Sequence, residues 1–174
     1  MRNVEIKAKV RNLAELISRA EQLSNSKGEL IKQEDTFYNV PRGRLKLRKF
    51  EVFHQADGTS QLICYERADT EGPKVCEYTR VDFPPGSNPG PVLAQALGIK
   101  GTVKKTRRLY LVGNTRIHID EVFGLGKFME LEVVLTEDQR IEEGQAVAED
   151  IRRKLGVEET DLLSGAYMDM LLRR

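Results

Sequence analysis

The chain has 174 residues, of which 40% are hydrophobic and 32% charged, a balance typical of a soluble globular protein with its own core. Its formal net charge of +1 excludes the strongly basic or acidic classes whose overall charge indicates a partner. The first residues carry charges where a secretory leader has an apolar run, and no segment is apolar over a membrane-spanning length. We therefore expect a single domain over residues 1–174, located in the cytoplasm without a membrane partner.

The first residues predict a strand and a helix. The segment "VEIKAKV" alternates apolar and polar residues, which is the period of a strand. The segment "NLAELISRAEQL" predicts a helix with one apolar stripe. Asn12 is a suitable N-cap for it, and Glu15 stands at the capping-box spacing.

The middle of the chain predicts more strands and a short helix. Four strands are expected in the segments "KQEDTFYNV", "RLKLRKF", "SQLICYERA" and "VCEYTRVDF". Asp57–Gly58 marks a turn between the second and the third of them. After a proline-rich break, Pro91 begins a short helix that Gly98 ends.

The last third predicts three further strands and two helices. "TVKKTRRLYLV" and "TRIHIDEV" form a hairpin, and "FMELEVVL" follows as the next strand. Thr136 is expected to cap a helix that runs to Leu155. The final segment, "TDLLSGAYMDMLLRR", is also predicted as a helix.

These elements indicate the fold class. About eight strands follow one another mainly as hairpins, and four helices are set between groups of them, so we expect an α+β fold with an antiparallel sheet. The two cysteines, Cys64 and Cys76, have no metal-binding spacing. In a cytoplasmic protein we expect reduced thiols, although a disulfide remains open if the two strands pair.

The strands carry rows of polar side chains on one face. The rows are Asn3, Glu5, Lys7 and Lys9; Arg44, Lys46 and Arg48; Lys105 and Arg107; Arg116, His118 and Asp120; Glu130 and Glu132. One interpretation is the solvated face that antiparallel sheets ordinarily have. The other is the interior of an eight-stranded barrel, whose outward apolar rows the helices would cover. An interior with many charges requires water, metal ions or a charged ligand.

The chemistry of such an interior favours a polyphosphate. Clustered carboxylates suit a hard cation such as Mg²⁺ or Mn²⁺, and guanidinium groups bind two phosphate oxygens at once. Phosphoryl transfer depends mainly on positioning and charge neutralisation, which this set of residues supplies. The sequence has no P-loop and no kinase signature.

The residues resemble the CYTH superfamily, the triphosphate tunnel metalloenzymes, which include class IV adenylyl cyclases, thiamine triphosphatases and inorganic triphosphatases. The family's N-terminal Glu-x-Glu-x-Lys strand is matched by "NVEIK". The similarity continues through "QEDTFYNV", "LKLR", "KKTRRLYLVG", "HIDEVFGLGKFMELEV" and "SGAYMDML", and the fourth of these blocks is most similar to the cyclase branch. The resemblance implies an eight-stranded antiparallel tunnel, Mg²⁺ or Mn²⁺, and a triphosphate-bearing small molecule as partner.

The resemblance also implies roles for individual residues. The expected metal ligands are Glu5, Asp120, Glu130 and Glu132. The expected phosphate-binding residues are Lys7, Lys46, Arg48, Arg67, Lys105 and Arg107. Lys7 and Asp120 are the candidate catalytic residues.

Some positions depart from the family pattern. Asn3 replaces the first Glu, which removes one charge from the metal site. In "CYER", Glu66 stands where relatives have a tunnel Lys, unless a register shift brings Arg67 there. Phe37 replaces the catalytic Tyr of thiamine triphosphatases, which argues against thiamine triphosphate as substrate. Glu77 is a further tunnel carboxylate only in one of two strand registers.

Other residues have a structural alternative. His118 is explained by hydrogen bonds within a packed strand, Tyr167 by a place in the core, and Lys9 and Arg116 by exposure near a tunnel mouth. The basic residues look inward rather than forming an exposed stripe, so we expect no nucleic-acid partner. Relatives include monomers and homodimers, and both states are open.

Three functions remain open from the sequence. The first is a metal-dependent triphosphatase that acts on inorganic or nucleoside triphosphate. The second is a class IV-type adenylyl cyclase, which converts ATP to cyclic AMP and pyrophosphate. The third is a non-catalytic binder of polyphosphate or nucleotide, which Asn3 and Glu66 favour.

Overall fold

The computed structural model describes residues 1–52 and 58–173. Its strands are β1 Arg2–Lys9, β2 Glu29–Tyr38, β3 Arg44–Val52, β4 Ser60–Arg67, β5 Lys74–Phe83, β6 Ile99–Val112, β7 Thr115–Val122 and β8 Gly126–Val134. Within the described ranges these eight strands close into an antiparallel barrel in the order β1-β5-β4-β3-β2-β6-β7-β8. The predicted α+β barrel is therefore confirmed.

Four α-helices belong to the described part of the chain. They are α1 Leu13–Ser24, α2 Gly90–Leu97, α3 Ile141–Lys154 and α4 Tyr167–Leu172. A short 3-10 turn at Glu159–Asp161 precedes α4. None of the described helices combines the length and the apolar character needed to cross a bilayer.

The pairing of β1 with β8 closes the barrel and joins the two ends of the strand sequence. In this register Glu5 lies opposite Glu132, and Lys7 lies opposite Glu130. Because side chains alternate along each strand, both pairs point to the same side of the sheet. The closure thus brings the N-terminal polar row beside the acidic row of β8.

The outward side of the barrel forms an apolar layer under α1 and α3. Val4 and Ile6 of β1 and Leu131 of β8 are fully buried there. Burying each such side chain contributes roughly 1.5–3 kcal/mol. The approach of α3 is close, because a Cβ at Gly144 would come within 2.5 Å of Leu135 and 2.8 Å of Val4. The helices thereby hold the wall that carries the inward polar rows.

The first helix follows its sequence signals. The Asn12 side chain accepts a hydrogen bond from the Glu15 backbone N–H at 3.1 Å, which satisfies one unpaired donor of the first turn. The helix ends at Asn25, whose φ of 50° lies in the left-handed region that Asn tolerates. The N-cap prediction for Asn12 is confirmed, whereas the Glu15 carboxylate accepts from Arg19.

Two helix predictions need correction. Thr136 does not begin α3, because residues 136–139 form a turn in which the Gln139 N–H donates to the Thr136 carbonyl at 3.2 Å. The helix begins at Ile141, and the Glu143 carboxylate accepts from the Arg140 N–H.

The predicted C-terminal helix is mostly irregular and becomes helical only from Tyr167. The Leu163 N–H donates to the Lys7 carbonyl at 2.9 Å, so this segment bonds to β1 instead of continuing a helix. The predicted turn at Asp57–Gly58 includes position 57, which lies outside the described residues.

The two cysteines lie on different sides of the β4–β5 wall. Both thiols are free; Cys64 is exposed on the outside and Cys76 is buried facing the interior. Their strands do pair, yet Cys64 stands opposite Thr79 while Cys76 stands opposite Arg67. The expected reduced thiols are thus confirmed. The register of β4 and β5 keeps the two cysteines apart, so the pairing of these strands does not form a disulfide.

Candidate active site in the tunnel

The polar rows line the interior of the barrel around a cavity of about 260 Å³. Ionisable residues from all eight strands face this space. They are Glu5, Lys7, Asp35, Lys46, Arg48, Tyr65, Arg67, Cys76, Tyr78, Arg80, Lys105, Arg107, Arg116, His118, Glu130 and Glu132. Charges removed from water need compensating partners. The arrangement of these side chains therefore indicates which charged ligand the cavity can bind.

One cluster is built around Asp35 of β2. Its carboxylate accepts two hydrogen bonds from Arg48, both at 2.8 Å, and lies 3.4 Å from Lys105 Nζ and 3.6 Å from Lys46 Nζ. Burial alone would raise the pKa of Asp35, but Arg48, Lys105 and Lys46 outweigh it and hold the pKa well below its usual range. Three cations thus share a single anion.

The lysines of this cluster hold their protons weakly. Burial, followed by the nearby Arg107, lowers the pKa of Lys105 to about 7. Burial, followed by Arg48, lowers the pKa of Lys46 to about 8. An entering polyanion would favour the charged form of both groups, since an opposite charge within a few ångströms does so.

A second cluster joins β6, β7 and α4. Arg107 donates two hydrogen bonds of 2.8 Å to Asp120, and the Tyr167 hydroxyl donates a third of 2.8 Å to the same carboxylate. Burial alone would raise the pKa of Asp120, but Arg107 and Lys105 lower it below its usual value. Asp120 is therefore an anion held in a fixed orientation.

Lys7 connects this cluster to the acidic row. Its Nζ lies 3.4 Å from Glu130, donates to the Gly165 carbonyl at 3.1 Å, and stands 4.0 Å from the centre of the Tyr167 ring. Burial lowers the pKa of Lys7, while Glu130 acts in the opposite direction. The segment before α4 therefore completes the surroundings of Lys7.

A further ion pair joins β1 to β4 across the intervening strand β5. The Glu5 carboxylate accepts from Arg67 at 2.9 Å. Burial and the neighbouring Glu132 raise the pKa of Glu5, although Arg67 lowers it. Arg67 faces the interior and Glu66 is exposed, which answers the register question for "CYER".

In the described part of the chain, one group of three potential metal ligands comes together. It consists of His118, Glu130 and Glu132, each with a ligand atom within 4.8 Å of the others. Nδ1 of His118 lies 3.7 Å from Glu132. Burial, then Arg107, lowers the pKa of His118 to about 4.

The side chains near this group fit a divalent cation. The buried Oδ1 of Asn3 and the buried Nδ1 of His118 have no hydrogen-bond partner among the described residues. Both are electron-pair donors of the kind that cations bind, and two carboxylates lie beside them. The donor set therefore suits an ion from Mg²⁺ to the first-row transition metals.

Nine of the ten predicted site residues line the interior, and Asp120 lies behind them. Asp120 reaches it through Arg107 and Tyr167, and Glu5 lies opposite Glu132 although its carboxylate pairs with Arg67. Glu77 is exposed and does not line the cavity, so the register that made it a tunnel carboxylate is wrong. Lys9 is exposed at the end of β1.

Sequence reasoning missed several residues that line or support the site. Asp35 and Gln33 lie on the inward side of β2, and alternation along "KQEDTFY" would have found both. Lys74 is buried and donates to the Thr70 carbonyl at 2.7 Å. Tyr167 gave no periodic signal, because the short helix α4 brings it in from the C-terminal segment.

The two ends of the tunnel differ. At the end where β6 begins, Gly101 packs against Met168 of α4, so the C-terminal segment covers it. Toward the other end, the lining includes the apolar side chains of Ile31 and Leu109. There the buried Oε1 of Gln33 lacks a partner in the described ranges.

The CYTH domain family model matches residues 1–167. Among solved structures, the chain is similar to the PH1819 protein of Pyrococcus horikoshii OT3 (TM-score 0.78, 24% identity, 98% of each chain covered). It is also similar to a conserved hypothetical protein of Pyrococcus furiosus (TM-score 0.74, 25% identity, 96% of this chain and 98% of that chain covered).

A Vibrio parahaemolyticus protein with the provisional name adenylate cyclase shares the fold as well (TM-score 0.72, 18% identity, 98% of this chain and 97% of that chain covered). Among curated proteins, the comparison found no match to this chain. The family match spans nearly the whole chain and agrees with the closed barrel and its charged interior, so the chain belongs to the CYTH family, whose tunnel enzymes are metal-dependent and act on triphosphates.

Proposed function

We propose that this protein is a metal-dependent triphosphatase whose substrate is inorganic triphosphate or a nucleoside triphosphate. The observation that carries the proposal is the excess of buried cations around Asp35. Arg48, Lys105 and Lys46 share this one carboxylate, so the cluster holds more positive than negative charge. A phosphate chain in the cavity would supply the missing anions.

Different interior residues would bind the phosphate chain and hold it in a fixed orientation. Arg48 and Arg107 present fixed guanidinium groups, because Asp35 and Asp120 each hold one of them by two hydrogen bonds. Arg67 extends the positive lining beside Glu5. Together these groups would align the phosphate chain and neutralise charge on its oxygens, which is the main contribution a protein makes to phosphoryl transfer.

The proposed reaction is hydrolysis of the terminal phosphoanhydride bond. A water oxygen attacks the terminal phosphorus, and the bond from that phosphorus to the bridging oxygen breaks. The attacked group becomes orthophosphate, the bridging oxygen leaves on pyrophosphate or a nucleoside diphosphate, and the proton of the water passes to solvent. Asp120 does not line the cavity, so its candidate role is to position Arg107 and Tyr167 beside the attacking water, and Lys7 is the candidate cation for the charge that develops. Tyr167 keeps both in place through its hydroxyl and its ring.

The metal belongs beside the acidic row in this proposal. Glu130 and Glu132, with Glu5 nearby, would hold Mg²⁺ or Mn²⁺, and Asn3 would add a neutral oxygen. When bound, such an ion supplies charge neutralisation at the phosphate oxygens. Glu132 is the residue most central to this group, because it faces both Glu5 and His118.

A product analysis tests the proposal. The protein is incubated with Mg²⁺ or Mn²⁺ and, separately, with tripolyphosphate, ATP, other nucleoside triphosphates and thiamine triphosphate. We expect orthophosphate from tripolyphosphate or a nucleoside triphosphate and none from thiamine triphosphate. Absence of orthophosphate from every substrate would contradict the proposal.

The second candidate, a class IV-type adenylyl cyclase, is favoured by the partly apolar end of the tunnel. Ile31 and Leu109 would accept an uncharged ring, and the Gln33 amide oxygen, which has no partner among the described residues, would accept a hydrogen bond from its edge. In that reaction the ribose 3′-hydroxyl attacks the α-phosphorus and pyrophosphate leaves. Pyrophosphate together with cyclic AMP in the same product analysis would decide for the cyclase.

A non-catalytic binder is the remaining outcome. It predicts a rise in melting temperature with tripolyphosphate, because binding to the native state stabilises it by mass action, without any product. Loss of one carboxylate at Asn3 is the feature that favours this outcome. If the protein forms no product and is not stabilised by tripolyphosphate, all three functions are contradicted.

A further inference from the structure

His118 has the geometry of a ligand rather than of a core residue. It projects from β7 into the tunnel and is only 4% exposed, yet its Nδ1 has no hydrogen-bond partner in the described part of the chain. A buried polar atom without a partner destabilises the folded protein. A histidine kept only for packing would ordinarily use this nitrogen in a hydrogen bond.

Two carboxylates lie beside His118, and cations hold three of their four oxygens. Arg116 holds Oε2 of Glu132 at 2.8 Å, so Oε1 of that residue is the one nearest to Nδ1, at 3.7 Å. Glu130 completes the group, held by Lys7 at 3.4 Å and by Arg107 at 3.7 Å. Lys7, Arg107 and Arg116 thus orient both carboxylates.

We infer that His118 is a nitrogen ligand of the tunnel's metal ion, with Glu130 and Glu132 as oxygen ligands, and that the site therefore prefers a transition ion such as Mn²⁺ to Mg²⁺. The inference deepens the proposed function and rests on it for the presence of an ion in the tunnel. It adds a nitrogen ligand that the resemblance to the family did not imply. It also predicts which ion the site prefers.

The distances permit this coordination with small movements. Nitrogen and oxygen ligands lie about 2.0–2.2 Å from a divalent transition ion, so neighbouring donor atoms stand roughly 3 Å apart. The 3.7 Å between His118 and Glu132 needs to shorten by less than about 1 Å, which a side-chain rotation provides. The ligand atoms of the whole group lie within 4.8 Å of one another, so the widest pair must shorten by up to about 2 Å.

The preference follows from the ligand chemistry. Mg²⁺ favours carboxylate, carbonyl and water oxygens and releases its water reluctantly, whereas imidazole suits transition ions. A site made of carboxylates alone discriminates little by softness. Exchanging one oxygen for an imidazole nitrogen therefore raises the affinity for Mn²⁺ without a matching gain for Mg²⁺.

The test uses Mn²⁺ alone, without substrate. Pulsed electron paramagnetic resonance detects coupling of a ¹⁴N nucleus to bound Mn²⁺, and calorimetry gives the affinities for Mn²⁺ and Mg²⁺. The variants are His118→Gln and, as a matched control for the second histidine in the sequence, His54→Gln. Circular dichroism and thermal unfolding establish that each variant is folded.

We expect ¹⁴N coupling in the wild type and in His54→Gln, and its loss in His118→Gln. His118→Gln should weaken Mn²⁺ binding by at least tenfold and change Mg²⁺ binding by less than about threefold. Absence of ¹⁴N coupling in the wild type, equal losses for both ions, or no Mn²⁺ binding would each overturn the inference.

The outcome is separable from the proposed function. Orthophosphate release by a wild type without ¹⁴N coupling would contradict the His118 assignment alone. Coupling without any turnover of the substrate panel would contradict the triphosphatase and leave the assignment standing.

Discussion

The hydroxyl of Tyr167 donates a 2.8 Å hydrogen bond to Asp120, a residue 47 positions earlier in the chain. This contact ties the last helix to the catalytic candidate on β7, while the ring of Tyr167 lies under Lys7. The C-terminal segment is thus part of the tunnel's inner lining and does more than cover one end. The orientation of two proposed catalytic residues depends on it.

Replacing Tyr167 by Phe isolates the hydroxyl from the ring. Tyr167→Phe removes one of three hydrogen bonds to Asp120 but keeps the aromatic face near Lys7. We expect a loss of about 1–2 kcal/mol in the free energy of unfolding, measured in urea, because a buried acceptor loses a partner. A free energy equal to that of the wild type would mean that the contact does not hold α4 in place.

Removing the charge of Asp35 should expose the excess of cations. Asp35→Asn leaves Arg48, Lys46 and Lys105 without their shared anion, and breaking such a buried pair costs about 3–5 kcal/mol. We expect a lower melting temperature that tripolyphosphate raises by more than it raises that of the wild type. The measurement is thermal unfolding with and without tripolyphosphate.

The control for this variant is Asp150→Asn, which removes an exposed i,i+4 partner of Lys154. Such surface pairs contribute little, so its stability and its response to tripolyphosphate should match the wild type. If Asp35→Asn responds to tripolyphosphate no more than Asp150→Asn does, the three cations are not a phosphate site.

Arg67 and Glu66 offer a paired test of the β4 register. Arg67→Gln should weaken tripolyphosphate binding by about 10–100-fold, the equivalent of one charge-assisted hydrogen bond. Glu66→Gln should leave the affinity unchanged, because Glu66 is exposed outside the barrel. Calorimetric titration of both folded variants provides the measurement, and a larger effect at Glu66 would contradict the observed register.

The pH dependence of binding follows from Lys105 and Lys46. Lysine is a cation below its pKa, and burial lowers these pKa values to about 7 and about 8 in the ligand-free protein. As pH rises through this window, a growing fraction of the protein must take up a proton to bind, so tripolyphosphate affinity falls. Lys105→Arg keeps its charge and should show a shallower fall between pH 6.5 and 8.5.

Comparison of the two titrations removes the contribution of the phosphate's own protonation, since the ligand is the same in both. Parallel curves for the wild type and Lys105→Arg would show that Lys105 stays protonated throughout. The lowered pKa of Lys105 would then have no part in binding.

The alternating pattern of the strands predicted most of the fold. In "RLKLRKF" and "KFMELEVVL", period two separates the inward charges from the outward apolar residues, and the barrel follows once each apolar row has a helix to cover it. Cap chemistry located α1 correctly because Asn12 and Glu15 act locally. The same kind of signal misplaced α3, since Thr136 and Gln139 bond to each other in a turn.

The parts of the site that depend on closure were harder to predict. Two registers were possible for β4, and only its pairing with β5 places Arg67 inside and Glu66 outside. Tyr167 depends on where the C-terminal segment docks, which no local pattern encodes. The role inferred for His118 rests on its distance to Glu132 on the neighbouring strand. Alternation along a strand predicts which face a residue lies on, but it does not predict which residues of the next strand lie beside it.

The measurement that most directly tests the central claim is turnover of tripolyphosphate and ATP by Glu132→Ala. The carboxylate of Glu132 is central to the proposed metal group, whereas Glu142 on α3 is exposed, so Glu142→Ala is the matched control. We predict that Glu132→Ala, shown to be folded, loses at least 99% of the metal-dependent turnover and that Glu142→Ala retains it. Unchanged turnover in Glu132→Ala would contradict the account of a catalytic tunnel.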